Sequence, residues 1–240
     1  MKKGVFLKAE WNNLIMANYE VPQEILLPYL PKYTELDLFE GKCYVSLVGF
    51  LFENTKMLGM KIPFHINFEE INLRFYVKYK SGKEWRRGVV FIKEIVSKPA
   101  ITFVANTLYN EKYVTLSTAY YKSQKDSDTT IGYVFGSKKN NLNEINYTTN
   151  NKKYSLVKGS KEEFITEHYW GYAKAKSHTI EYAVEHPAWE IFECTSYSVN
   201  CAFGELYGKD FEFLNKTKPS SVFMAEGSEI VVRKGIKIRC

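Results

Sequence analysis

Residues 71–79 alternate apolar and polar side chains without a break, and this run constrains the fold more than any other segment. Ile71, Leu73, Phe75, Val77 and Tyr79 fall on one side of an extended chain, with Asn72, Arg74, Tyr76 and Lys78 on the other. Strand side chains alternate with period two, whereas a helix would scatter these residues around its circumference. A strand with one apolar face needs neighbours beside it and a layer to cover that face. Comparable runs recur at residues 11–19, 43–52, 88–96, 114–121, 131–136, 154–157, 168–175, 178–185 and 189–198. Two more, 221–226 and 229–237, are separated by a turn at Gly227. Aromatic residues make up 16% of the chain, and Tyr and Phe suit a pleated, half-buried surface.

Helical signals are sparse. Residues 97–113 carry one amphipathic pattern of about three turns, with Ser97 as cap, Pro99 in the first turn and Ile101, Val104, Ala105 and Leu108 at helical spacing. Short helices are expected at 23–27 and at 200–207, the latter ended by Gly208. The Asn-rich stretch 140–151 reads as a hairpin loop. No fixed repeat and no shift in composition marks a boundary, so residues 1–240 are expected to form a single domain. The fold class is α+β and β-rich, with a mainly antiparallel sheet closed or folded over itself.

The net charge is +6, but its carriers run from Lys2 to Arg239. The densest groups are Lys83/Arg86/Arg87, Lys138/Lys139, Lys152/Lys153 and Arg233/Lys234/Lys237/Arg239. A nucleic-acid surface concentrates Lys and Arg on one face, so such a partner is not the expectation. No apolar run approaches the roughly eighteen residues that would cross a bilayer. The start of the chain is basic but interrupted by Lys8 and Glu10, which is not a signal-peptide pattern. Cys43, Cys194, Cys201 and Cys240 form no CxxC pair, and reduced thiols in a cytoplasmic protein are expected. His65, His168, His178 and His186 have no metal-ligand spacing. Gly-rich phosphate loops and the GxSxG elbow are absent, so neither metal nor cofactor is expected.

Several segments together resemble the YqjF-like family of uncharacterised bacterial proteins. They are WNNLIMANY (11–19) with Val21-Pro22, then Leu30-Pro31, and Leu36-Asp37-Leu38-Phe39-Glu40-Gly41 running into 44–50. The pattern continues through 70–77, Arg87-Gly88-Val89-Val90-Phe91, Glu167-His168-Tyr169-Trp170-Gly171-Tyr172 and Ala225-Glu226-Gly227-Ser228. That family is similar to the acetoacetate decarboxylase-like superfamily. The resemblance implies a closed antiparallel β-barrel with a few outer helices and an internal, ligand-sized cavity. The decarboxylases form a Schiff base between a Lys and a β-keto acid, and a neighbouring Lys lowers the pKa of the reactive amine. That pair sits in a Pro-Lys-Lys stretch after a Pro-Ala-Ile-like segment. Here Pro99-Ala100-Ile101 is followed by Asn110-Glu111-Lys112-Tyr113. Lys112 takes the first Lys position, Tyr113 replaces the second, and Glu111 replaces the Pro. The second cation is missing, and Glu111 would tend to raise the pKa of Lys112.

The candidate site residues follow from this frame. Glu70, Asn72, Arg74 and Tyr76 form the polar stripe of the alternating strand. If the apolar face is covered by another layer, the stripe points into the cavity; if that face fills the interior, the stripe faces solvent. In the cavity Arg74 would clamp a carboxylate, and Glu70 would serve as its counter-ion or as a base. Arg87 would enter from the rim, Tyr113, His168 and Trp170 would contribute to the wall, and Glu226 would stand at a turn by the mouth. The expected function is binding of a small, partly apolar organic molecule, an acid, in a central cavity. Schiff-base decarboxylase or aldolase-like chemistry at Lys112 is the alternative, and a nucleic-acid or protein interaction module is the second. Unpaired strand edges would also allow a homo-oligomer.

Overall fold

The computed structural model describes residues 3–136 and 142–238. Lys138, Lys139, Asn140 and Asn141, with Arg239 and Cys240, lie outside them. Among the described residues fourteen strands join in one sheet. In chain order they are β1 (Val5–Val21), β2 (Thr34–Leu36), β3 (Cys43–Met57), β4 (Phe68–Ser81), β5 (Glu84–Val96), β6 (Tyr113–Thr115) and β7 (Ser117–Lys125), then β8 (Asp128–Gly136), β9 (Asn143–Ser155), β10 (Trp170–Lys174), β11 (Thr179–Glu185), β12 (Glu190–Asn200), β13 (Ser221–Arg233) and β14 (Ile236–Ile238). The helices are α1 (Gln23–Leu26), α2 (Pro99–Tyr109), α3 (Lys161–Thr166) and α4 (Phe203–Tyr207). None is long and apolar enough to cross a membrane.

The spatial order is β14-β11-β10-β5-β4-β3-β1-β13-β12-β9-β8-β7, with β2 beside β4 and β6 beside β5. β11 also pairs with β13, through Val184 opposite Val232 and Glu185 opposite Val231. The mainly antiparallel reading needs one amendment, because β10 and β6 both run parallel to β5.

β4 is buried on both sides. Ile71, Leu73, Phe75 and Val77 pack with Val45 and Leu47 of β3 against Tyr133 and Phe135 of β8, Ile145 and Tyr147 of β9, and Phe203 of α4. The opposite face of the same strands carries Tyr44, Val48, Phe50 and Tyr76, which pack with Leu14, Met16 and Phe164. The apolar stripe is therefore covered by strands as well as by helix. Gly49 of β3 lets this second layer approach, since a Cβ there would sit 2.8 Å from the Tyr133 ring.

From Asn143 onward the Asn-rich segment is a strand and not a hairpin loop; Asn140 and Asn141 lie outside the described residues. In β9, Asn143, Ile145, Tyr147 and Thr149 are buried while Glu144, Asn146 and Thr148 are less so. This period-two burial outweighs the turn preference of Asn, and Asn143 is satisfied by donating to the Phe135 carbonyl and accepting from the Ala202 amide. Gly227 does not split the last strand either. It lies within β13 opposite Asn12, with φ of 92°, and a side chain there would collide with the Trp11 carbonyl. The long helix starts later than expected. Its N-cap is Lys98, without a side-chain cap bond, and Asn110 ends it in the left-handed region. Cys43, Cys194 and Cys201 are free thiols.

Candidate ligand cavity

A cavity of about 160 Å³ lies against the polar face of β4. Glu70, Asn72 and Arg74 reach it from that strand because alternation sends their apolar neighbours to the opposite side. Val48, Phe50 and Phe52 of β3, Trp11 and Leu14 of β1 and Val89, Phe91 and Glu94 of β5 continue the wall. Ile101, Val104, Ala105 and Tyr109 of α2 cover one side; three residues of the helix's apolar stripe go here, while Leu108, expected with them, is exposed. Glu111, Tyr113, His168, Trp170, Tyr182, His186 and Trp189 also line it.

Three carboxyls gather at one end. Glu70, 2% exposed, accepts from the Tyr113 hydroxyl at 2.7 Å and from Asn72 Nδ2 at 3.0 Å. Glu111 accepts from the Tyr182 hydroxyl at 2.7 Å. Glu94, also 2% exposed, leaves Oε2 without a hydrogen-bond partner. Burial pushes Glu70 up to about 7, against the opposing pull of Tyr113, Asn72 and Arg74. Burial likewise takes Glu111 to about 7, with Tyr182 opposing and Glu70 adding to the rise. Glu94 is held well above the carboxylate range by burial and by the fields of Glu111 and Glu70.

A second polar group is built around His168, which also lines the cavity. His168 Nε2 lies 3.1 Å from Asp37 Oδ2, which also accepts from Arg87 Nε at 2.7 Å. Burial lowers His168 to about 4, so the ring is neutral near pH 7. Burial pulls Asp37 upward, but its bonds from His168 and Arg87 outweigh that and keep it ionised. A carboxylate at Nε2 assigns the ring proton to that nitrogen, leaving Nδ1 as a bare acceptor. Arg74 donates to the Ile165 carbonyl at 3.3 Å and touches Met16 Sδ at 3.8 Å, while its Nε is unpartnered.

Six expected residues line the cavity together: Glu70, Asn72, Arg74, Tyr113, His168 and Trp170. Four do not. Tyr76 turns its hydroxyl to Ser46 Oγ at 2.5 Å and packs its ring on His168, one layer behind the wall. Arg87 lies over the Phe164 ring and holds Asp37, so it acts on His168 from outside. Glu226 is in strand β13, not at a turn by the mouth, and pairs with Lys153 at 2.5 Å. Lys112 turns its ammonium over the Tyr29 ring, 5.2 Å from its centre, while its neighbours Glu111 and Tyr113 enter the wall. Burial lowers the Lys112 pKa, with Glu111 opposing. No lysine is among the lining residues. A Schiff base at Lys112 would need a substrate outside this cavity.

Glu94, Glu111, Tyr182, Trp11 and Trp189 join the site without having been expected there. A faint signal exists for Glu94, a charged residue flanked closely by Ile92 and Ile95 in an apolar strand. Glu111 stood out only as a replacement for Pro.

Residues 8–229 match the model of the DUF2071 family, described as an uncharacterized conserved protein. The uncharacterized protein YqjF of Bacillus subtilis (strain 168) is 28% identical over 188 residues, spanning 76% of this chain and 74% of that one. Among solved structures, an acetoacetate decarboxylase from Legionella pneumophila superposes with a TM-score of 0.66 at 13% identity, covering 100% of this chain and 90% of the other. The enduracididine biosynthesis enzyme MppR complexed with pyruvate gives 0.67 at 8% identity, covering 99% and 91%. At these identities the likeness shows an acetoacetate decarboxylase-like fold and nothing of the chemistry.

Proposed function

The chain belongs to the DUF2071 family, and from its cavity we propose that the protein binds a small, partly apolar organic molecule there. One observation carries the reading. Among the described residues, eight buried side-chain polar atoms lack a hydrogen-bond partner, and six of them belong to residues that line this one cavity. They are Trp11 Nε1, Thr55 Oγ1, Asn72 Oδ1, Arg74 Nε, Glu94 Oε2 and His168 Nδ1. A buried polar atom left unpaired costs on the order of 1–3 kcal/mol. A concentration of such atoms around one void is what a polar ligand head, or the water it displaces, would relieve.

The rest of the wall is aromatic and aliphatic, which suits the apolar part of the ligand. A cavity of about 150 Å³ admits a molecule the size of benzene, so the 160 Å³ here suits a single ring or a short branched chain. The architecture is read as a closed barrel of seven strands, β1, β3, β4, β5, β10, β11 and β13. The pairing of β11 with both β10 and β13 supports that closure. The structural neighbour whose description names bound pyruvate supports a fold that accommodates small organic molecules.

The test is a titration with benzyl alcohol followed by NMR on the protein and on Ala105→Phe. Ala105 faces the cavity from α2, and the larger side chain occupies the void. Saturable shifts at cavity residues are expected in the wild type and their loss in a variant with an unchanged melting profile. Saturation that survives the filling substitution would place the binding elsewhere.

A further inference from the structure

The proposed reading leaves open which polar head the ligand carries, and the wall bears on that choice. Glu70, Glu94 and Glu111 face the cavity against one cation, Arg74. That guanidinium gives one amino group to the Ile165 carbonyl and keeps Nε unpartnered. The nearby ammonium of Lys112 is over the Tyr29 ring, and His168 and His186 are neutral through burial. Tyr113 and Tyr182 donate to Glu70 and Glu111; Tyr113 and the Lys112 backbone also reach the Glu94 carboxyl, but its Oε2 is left without a donor. Asn72 Oδ1 is likewise unpartnered, and both residues are 2% exposed. Two deeply buried acceptors thus lack a donor in a wall with excess carboxyls.

Resting on the cavity reading above, we propose that the ligand is a primary organic ammonium, whose N–H groups donate to Glu94 Oε2 and Asn72 Oδ1 while its apolar body sits among the aromatic residues. An ammonium supplies three donors and one positive charge, matching what these acceptors lack. Trp11, Phe50 and Trp189 add aromatic wall that accepts an apolar group, and a ring face turned toward the head would attract a cation. A metal ion fits poorly, because no three His, Cys, Asp or Glu among the described residues are arranged to ligate one. This departs from the expected acid. A carboxylate would meet Arg74, but above about pH 7 it would also face the ionised Glu70 and Glu111.

The choice sets a pH dependence. The titratable and charged groups facing the head are Glu70 and Arg74 of β4, Glu94 of β5, Glu111 and Tyr113 after α2, and Tyr182 of β11. Lys112 acts on Glu111 from behind, and Lys174 acts on Lys112. Near pH 6 Glu70 and Glu111 hold protons, so an ammonium bound beside them expels a proton to solvent; near pH 8 these two have already released theirs, while Glu94 is held well above the carboxylate range and gives up its proton when the ammonium binds. An alkylammonium keeps its own charge across this range.

The experiment is calorimetry on the full chain with benzylamine, benzyl alcohol and benzoate at pH 6 and pH 8, in buffers of differing ionisation heat. Benzylamine is expected to bind at least about tenfold more tightly than the alcohol at pH 8, a difference of about 1.4 kcal/mol. Its lead should shrink at pH 6, with proton release visible in the buffer dependence. Glu94→Gln should remove the lead while keeping alcohol binding, which also reports that the variant folds. Equal binding of amine and alcohol, or tighter binding of benzoate, overturns the ammonium assignment and leaves the cavity reading standing. Loss of amine and alcohol alike in Glu94→Gln also overturns the assignment if Glu111→Gln, which keeps an acceptor for Tyr182, still binds both equally. Failure of all three probes to bind the wild type overturns both readings.

Discussion

Glu70 sits where a carboxylate is expensive. It is surrounded by protein, and two hydrogen-bond donors with a nearby guanidinium offset only part of the burial cost. The folded chain therefore binds a proton more tightly at Glu70 than the unfolded chain, from an ordinary value of 4.5 up to about 7. Between those values the native state holds more protons, so this group's contribution to stability falls as pH rises, and its cost is fully present above about pH 7. Glu70→Gln keeps an acceptor for Tyr113 and removes the charge. The variant is expected to gain on the wild type between pH 5 and pH 8 by about 3 kcal/mol, measured from urea midpoints at the two pH values. A difference that stays constant with pH would mean that Glu70 titrates alike in both states. His168 runs the other way. Burial lowers it to about 4, so its stabilising contribution is lost as pH falls from about 6.5 toward 4.

β3 shows how an element positions the site. It pairs with β1 on one side and β4 on the other, and its two faces are both buried. Phe50 and Phe52 line the cavity, and Leu47 and Gly49 face the layer of β8 and β9. Gly49 is the close point, because the Tyr133 ring lies where its Cβ would be, and Tyr133 is anchored by donating its hydroxyl to the Asn13 carbonyl at 2.9 Å. Gly49→Ala should cost about 1–3 kcal/mol through overpacking, read as a lowered urea midpoint with unchanged slope. An unchanged midpoint would mean that the ring swings aside freely. α2 lines the same cavity as β3. Its stripe of Ile101, Val104 and Ala105 is spent on the cavity, leaving Phe103 and Leu108 exposed on its outer side.

At the scale of the molecule, the cavity depends on how distant strands meet. β11 touches β10 and β13, and Val184 carries both connections, pairing with Val232 and donating its amide to the Tyr169 carbonyl at 2.9 Å. Val184→Pro removes that donor and should cost about 3 kcal/mol or more. If the strands form a ring, amide exchange should quicken along both β10 and β13; quickening confined to the residues beside position 184 would favour an open sheet. Much of this organisation is legible in the chain itself. Alternation over 71–79 placed Glu70, Asn72 and Arg74 on one face, and helical spacing after Pro99 located α2. Local patterns of this kind depend only on the geometry of neighbouring residues. In β9 the turn propensity of Asn is only a local preference, and from Asn143 onward pairing and burial against β8 and β12 override it. By itself, then, the sequence determined the strand faces, the amphipathic helix and, through its family-like segments, the fold. Only the tertiary structure decided which face encloses a cavity, that Lys112 turns away from it, and that Glu94 and Glu111 join Glu70 there. Those residues lie on different strands and loops, and their shared field arises only once long-range pairing brings them together out of water.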